Sequence, residues 1–271
     1  MHNTPAQQEA GRLWLFTGTG EGPPLARELL AQDWRLRVSV VTAAAAMAYV
    51  PHPRLELRVG VLGGAAALTR GLLEARSRGA PFAAVVDATH PFASRIHGEL
   101  ERGSAAAGVP LLRLERDMPA QRPAGRVQEL ADMAELRGVP LVGTRLLLAI
   151  GSRHLGQALR CSPAALHHAR VLPTPAALSQ ALAAGLDPAR LAPLHPRPGP
   201  ELAAGAVEAA LLRRWRIEAV LARASGPPTE TLWRRLTATQ GCRLLLLRRP
   251  LPGPGALSHD ALVETLAAWR R

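Results

Sequence analysis

The chain has 271 residues, 48% of them hydrophobic, and a formal net charge of +12 from 33 basic against 21 acidic residues. Every basic residue is arginine, which excludes a P-loop, whose lysine holds the β- and γ-phosphates, and pyridoxal or aldolase chemistry, which needs a lysine amine for its Schiff base. Cys161 and Cys242 form no C-x-x-C pair, so neither a disulfide framework nor a zinc ribbon is suggested.

The N-terminus, "MHNTPAQQEAGR", lacks a basic start with an apolar core, and no apolar run reaches the ~18 residues of a membrane span. A cytoplasmic protein is expected. Arginine binds carboxylates and phosphates bidentately, so an anionic partner suits this surface. Nucleic acid is disfavoured because the arginines are scattered and aromatics amount to only 3%.

The first strand candidate, "LWLF" (13–16), runs into "TGTGEGPPLA" (17–26) and the helical pattern "PLARELLAQ" (24–32). Gly18 and Gly20 with Gly22 permit either a plain tight turn or a nucleotide loop, in which the N–H groups of the following helix would face phosphate. Thr19 and Glu21 belong to the same loop. The second strand, "LRVSVV" (36–41), ends in Thr42 and alanines, without the acidic residue that holds the ribose of NADH; NADPH is favoured, with Arg58 or another arginine for its 2′-phosphate.

"LELRV" (55–59) reads as a third strand and "AAALTRGLLEARSR" (65–78) as a helix. The strand "AAVV" (83–86) then leads into "DATHPFA" (87–93). Asp87 at its carboxyl end would orient His90, and Thr89 would cap a helix starting at Pro91. Two readings stand: a capped turn with a satisfied histidine, or one wall of a ligand crevice. A helix over 95–107 and a strand "PLLRL" (110–114) complete the first half. "ERDMPAQRPAGR" (115–126) breaks the rhythm, giving domains over 10–117 and 118–271.

The second half carries strand candidates "VPLV" (139–142), "EAVLA" (218–222) and "RLLLL" (243–247), and the small-residue loops "AIGSRHL" (149–155) and "LARASGPPTETL" (221–232). Ser152 and Ser225 are expected to cap the following helices and to bring amides to an anion. "DPARLAPLHPRPGPE" (187–201) reads as a site loop. His167 and His168 have no ligand-spaced partner, so no metal site is expected. Alternating strands and helices give an α/β fold with mostly parallel sheets.

"DATHPFA" resembles the hallmark of precorrin-6A reductases, pyridine-nucleotide enzymes of cobalamin biosynthesis. "TGTGEGPPLA" is similar to their G-G-T-x-E-x-x-x-L-A loop, with Thr17 for the first glycine, and "LRVGVLGG" (57–64) to R-V-G-x-x-G-G. "VPLLRLERDMP" (109–119) resembles P-x-x-R-x-x-R-P through Arg113 and Arg116. "LLLAIGSRHL" (146–155), "VLPTP" (171–175), "RPGPE" (197–201) and "LLLLRRP" (244–250) resemble later segments in order. "LARASGPPTETLWRRL" (221–236) resembles K-x-S-G-G-x-x-T-x-x-K-L, with Arg223 for lysine and Pro227 for the second glycine.

The resemblance implies two Rossmann-like domains, with NADPH and a carboxylate-rich macrocycle in a cleft between them and reduction of precorrin-6A to precorrin-6B. It assigns Gly18, Thr19, Gly20, Glu21, Thr42, Thr89, Gly151 and Ser152 to the cofactor, and Arg113, Arg116, Arg197, Arg223, Ser225 and Gly226 to the anionic tetrapyrrole. His90 beside Asp87 is the expected proton donor. The alternatives are an S-adenosylmethionine-dependent tetrapyrrole methyltransferase and a basic nucleic-acid-binding regulator.

Overall fold

A computed structural model describes residues 11–18, 20–115, 125–194, 205–251 and 255–270. The chain opens with β1 (Arg12–Thr17), α1 (Gly22–Ala31), β2 (Arg35–Val40), α2 (Ala43–Ala46), β3 (Leu55–Val59), α3 (Ala65–Ser77), β4 (Phe82–Ala88), α4 (Ser94–Ala107) and β5 (Leu111–Leu114). A second series follows: β6 (Val127–Leu130), β7 (Arg145–Leu148), α5 (Leu155–Cys161), β8 (Leu166–Val171), α6 (Pro175–Ala183), β9 (Leu191–Pro193), α7 (Ala206–Arg214), β10 (Ala219–Arg223), α8 (Thr229–Gln240) and β11 (Arg243–Leu247). The chain then forms β12 (Ala256–Leu257) and α9 (His259–Ala268).

Two compact units result, one of residues 1–116 with 250–271 and one of 117–249. The last strand and helix therefore belong to the first unit, where the sequence placed all of 118–271 in the second. Each unit holds a six-stranded sheet, β12-β5-β4-β1-β2-β3 and β6-β11-β10-β7-β8-β9, and every pairing is parallel. The winding is duplicated: from a central strand, β1 or β7, the chain steps outward twice, then returns to the other side. Each sixth strand comes from the segment that crosses over, β6 after β5 and β12 after β11.

All-parallel sheets need cover on both faces, which is why their central strands are continuous apolar runs. In the first unit Leu13, Leu15, Val38, Ala84 and Val86 pack with Leu25 and Leu29 of α1 and Leu262 and Leu266 of α9. Trp14, Phe16 and Val85 face Leu68 and Leu72 of α3 and Leu100 of α4. In the second unit Leu147, Val220, Ala222, Leu244 and Leu246 pack on Leu212 of α7 and Trp233 and Leu236 of α8.

"VPLV" is not a strand. Pro140 lacks the ladder N–H, Val142 is 86% exposed, and Gly143 turns the chain at φ 67° into β7. The strands β6, β8, β9 and β12 were not expected, and β7 was implied only as the strand before "AIGSRHL"; β6, β9 and β12 are short sheet edges, and "LHHARV" lacks an apolar run. No helix among the described residues is long and apolar enough to cross a membrane.

Gly22 starts α1 against a buried pair, Thr17 Oγ1 and Tyr49 Oη, 2.6 Å apart. A Cβ at Gly22 would overlap the Tyr49 hydroxyl and approach Thr17 Cβ to 2.7 Å. Gly22→Ala is expected to cost about 1–3 kcal/mol by overpacking, read from urea unfolding, and Tyr49→Phe in the same chain should recover part by removing the nearest atom. An unchanged midpoint in Gly22→Ala would contradict this packing.

Candidate functional site

In an open parallel sheet, ligands bind at the carboxyl ends of the strands where the winding reverses. In the first unit that point lies between β1 and β4, flanked by the turn before α1 and the turn before α4. Gly18 and Gly20 have nothing within 4 Å of where a Cβ would stand, so their backbone is approachable. The helix behind them is poorer in donors than expected: Pro23 and Pro24 supply no N–H, and Leu25 N donates to Glu21 O at 3.2 Å. Gly22 holds the sole N–H of the first three helical positions. Thr19 lies outside the described residues.

Thr42 caps α2, its Oγ1 accepting from Ala45 N at 3.2 Å. Val41, Thr42 and the alanines that follow β2 carry no acidic side chain to oppose a 2′-phosphate. Arg58, the arginine considered for that phosphate, already donates to Glu56 Oε1 at 3.2 Å, and Glu56 also takes Arg37.

The turn after β4 differs from expectation in its pairing. Asp87, 1% exposed, bonds not to His90 but to His97 on α4, with Oδ2 2.6 Å from Nδ1. Its Oδ1 accepts from Thr89 N at 3.1 Å and Thr89 Oγ1 at 2.7 Å. Thr89 thus closes the turn and caps no helix; α4 begins at Ser94, with Ala93 at the cap position. His90 Nδ1 accepts the Phe92 N–H at 3.2 Å, which puts the proton of a neutral ring on Nε2. Arg113 on β5 is in register with Asp87. His97 was not among the expected site residues, although it lies three residues before Leu100 on the buried stripe of α4, where a polar side chain requires a partner.

Burial disfavours the Asp87 carboxylate, but the hydrogen bond and charge of His97 and the two bonds from Thr89 outweigh it and hold the carboxyl below its ordinary value. A depressed folded-state value adds stability above the ordinary carboxyl range, about pH 4, and that stability is lost as pH falls through the lower folded-state value. Asp87→Asn is expected to flatten the acid limb of urea midpoint against pH below about pH 4; an unchanged limb would contradict the pairing.

In the second unit the winding reverses between β7 and β10. Gly151 sits after β7 at φ 82°, and Arg223, the last residue of β10, brings a guanidinium nitrogen to 3.3 Å from where a Gly151 Cβ would stand. Burial, then the charge of Arg153, pushes the Arg223 guanidinium below its ordinary value. Burial, then Arg223 and Arg153, does the same to the His154 imidazole. Two guanidinium groups and an imidazole whose protonation they disfavour therefore share one strand end, a setting that suits an anion. Arg153 and His154 were not among the expected site residues; "GSRHL" shows them, but their approach to Arg223 depends on strand order.

Neither expected serine cap forms. Ser152 Oγ donates to Gln180 Oε1 at 2.8 Å, and Ser225 is buried while α8 starts without a side-chain cap. The Gly226 N–H is also engaged, donating to Glu230 Oε2 at 3.0 Å. Glu230 Oε1 accepts from Arg234 Nε and lies 2.8 Å from a second guanidinium nitrogen, and both residues are buried. Arg116 and Arg197, with residues 195–201 of the expected site loop, lie outside the described residues.

The structure thus brings Gly18, Gly20, Glu21, Thr42, Asp87, Thr89, His90 and Arg113 to one sheet edge of the first unit. It brings Gly151, Ser152, Arg223, Ser225 and Gly226 to one edge of the second. Among the described residues no three His, Cys, Asp or Glu side chains cluster as metal ligands.

The family described as Precorrin-6x reductase CbiJ/CobK matches residues 12–269. The chain is 32% identical over 253 residues to a cobalt-precorrin-6A reductase of Synechocystis sp., covering 92% of each chain. It is 31% identical over 267 residues to a precorrin-6A reductase of Rhodococcus erythropolis, covering 94% of this chain and 96% of that one. A solved CobK precorrin-6A reductase superposes with TM-score 0.70 at 24% identity over 95% of this chain and 97% of that one, a likeness of fold.

Proposed function

The chain belongs to the precorrin-6x reductase family, and we infer from that membership that it reduces one double bond of precorrin-6A to give precorrin-6B in cobalamin biosynthesis, with NADPH as the reductant. The observation that carries the reading is the match over nearly the whole chain to reductases of that name. The pair of guanidinium groups of Arg223 and Arg153 beside His154 supports it from the chemistry side, because the substrate is a ring bearing many carboxylates.

The residues present fit the nucleotide: the backbone at Gly18 and Gly20 is open, and no acid at the end of β2 opposes a 2′-phosphate. Gly18, Thr19, Gly20, Glu21, Thr42 and Thr89 of the first unit would hold it, and it would supply a hydride to one carbon of the double bond. The other carbon needs a proton, and His90 Nε2 is the group assigned to deliver it. Arg223 binds a ring carboxylate and orients the ring; positioning and electrostatics are the protein's share of a hydride transfer.

The test is NADPH oxidation with cobalt-free and with cobalt-loaded precorrin-6A, beside a titration with S-adenosylmethionine. Tetrapyrrole-dependent oxidation with no methyl transfer supports the reading. Methyl transfer without oxidation, or salt-sensitive DNA binding with neither, overturns it.

A further inference from the structure

We propose that His97 is a positioning residue of this reaction: donating from both ring nitrogens, it ties the Asp87 carboxylate to the His90 carbonyl and fixes the turn that presents the His90 ring. Its Nδ1 lies 2.6 Å from Asp87 Oδ2 and its Nε2 3.1 Å from His90 O. Both partners only accept. An uncharged imidazole donates from one nitrogen and would turn a lone pair on the other acceptor, so the ring that satisfies both is the imidazolium.

The consequences reach His90 through backbone alone. The His90 carbonyl also accepts the Ala93 N–H at 2.8 Å, and the His90 ring is held by the Phe92 N–H and lies 5.8 Å from the Phe92 ring. With Asp87 fixed at the end of β4 and His97 fixed on the first full turn of α4, the segment between them is pinned at both ends and once in the middle. Among the described residues Asp87 is the charged group bonded to the His97 ring, Arg113 on β5 is in register with Asp87, and Arg95 and Glu99 of α4 pair with each other at 3.0 Å. His97 touches neither reactant and acts through Asp87 and His90.

This inference rests on the reductase reading, and the experiment keeps the two apart. Wild-type NADPH oxidation with precorrin-6A comes first; its absence would remove the reductase reading and leave the bridge to be tested by NMR. Nitrogen NMR of the wild-type ring at neutral pH is expected to show both His97 nitrogens protonated, and Asp87→Asn to leave one bare; a neutral wild-type ring overturns the bridge. In kinetics, His97→Phe should lower kcat about 10- to 100-fold with KM for NADPH within about twofold. His97→Asn, which keeps a donor toward Asp87, should recover part of it. The double variant Asp87→Asn/His97→Phe should lose little more than the worse single change. A wild-type kcat in His97→Phe, or additive losses in the double variant, overturns the proposal.

Discussion

Glu230→Ala is expected to destabilise the second unit by about 3–5 kcal/mol, because it strands a buried guanidinium. Glu230 is 0% and Arg234 3% exposed. Glu230 Oε1 accepts from Arg234 at 2.8 Å, while Oε2 accepts the Gly226 N–H, so one truncation orphans a charge and a loop amide together. The melting temperature should fall by roughly 10 °C. Adding Arg234→Met removes the stranded charge and should recover most of the loss. A Glu230→Ala protein melting within a degree or two of wild type would show that the pair is not desolvated as described.

Arg223→Met is expected to lower kcat/KM for the tetrapyrrole about 10- to 100-fold, the worth of a charge-assisted contact to a carboxylate, mostly through KM. The change also removes the charge that burial and Arg153 disfavour at this strand end. Arg223→Lys keeps a point charge without the fork and should fall between the two. Raising salt should narrow the gap between wild type and Arg223→Met, as screening weakens the lost interaction. An unchanged KM in Arg223→Met would remove this arginine from the substrate site.

The fold class was legible in the sequence because an all-parallel sheet writes its buried strands as apolar runs: "LWLF", "AAVV" and "RLLLL" each lie inside an observed strand. Edge strands leave little such mark: β6, with Gln128 and Glu129, is short and half polar, and β9 is only three residues long and ends in Pro193. The return of the chain to the first unit after residue 249 was hidden as well, since nothing local tells "ALSHDALVETLAA" which of two similar sheets it completes. Within the site, "DATHPFA" announced itself by three polar groups at a strand end, yet the pairing of Asp87 was misassigned because His97 arrives from a helix that had first to be placed. Pro23 and Pro24 were visible from the start, and their cost in helix N–H donors follows from proline's missing hydrogen. Arg153, His154 and Arg223 needed the order of β7 and β10, which no spacing along the chain encodes.

Hydride transfer from NADPH to the macrocycle is the claim on which the assignment depends. It is tested most directly by supplying NADPH deuterated at the reactive carbon of its nicotinamide and following the label. Deuterium recovered on one carbon of the reduced tetrapyrrole, with solvent hydrogen on its neighbour, is the predicted result; a product whose new hydrogens both come from solvent would contradict the account.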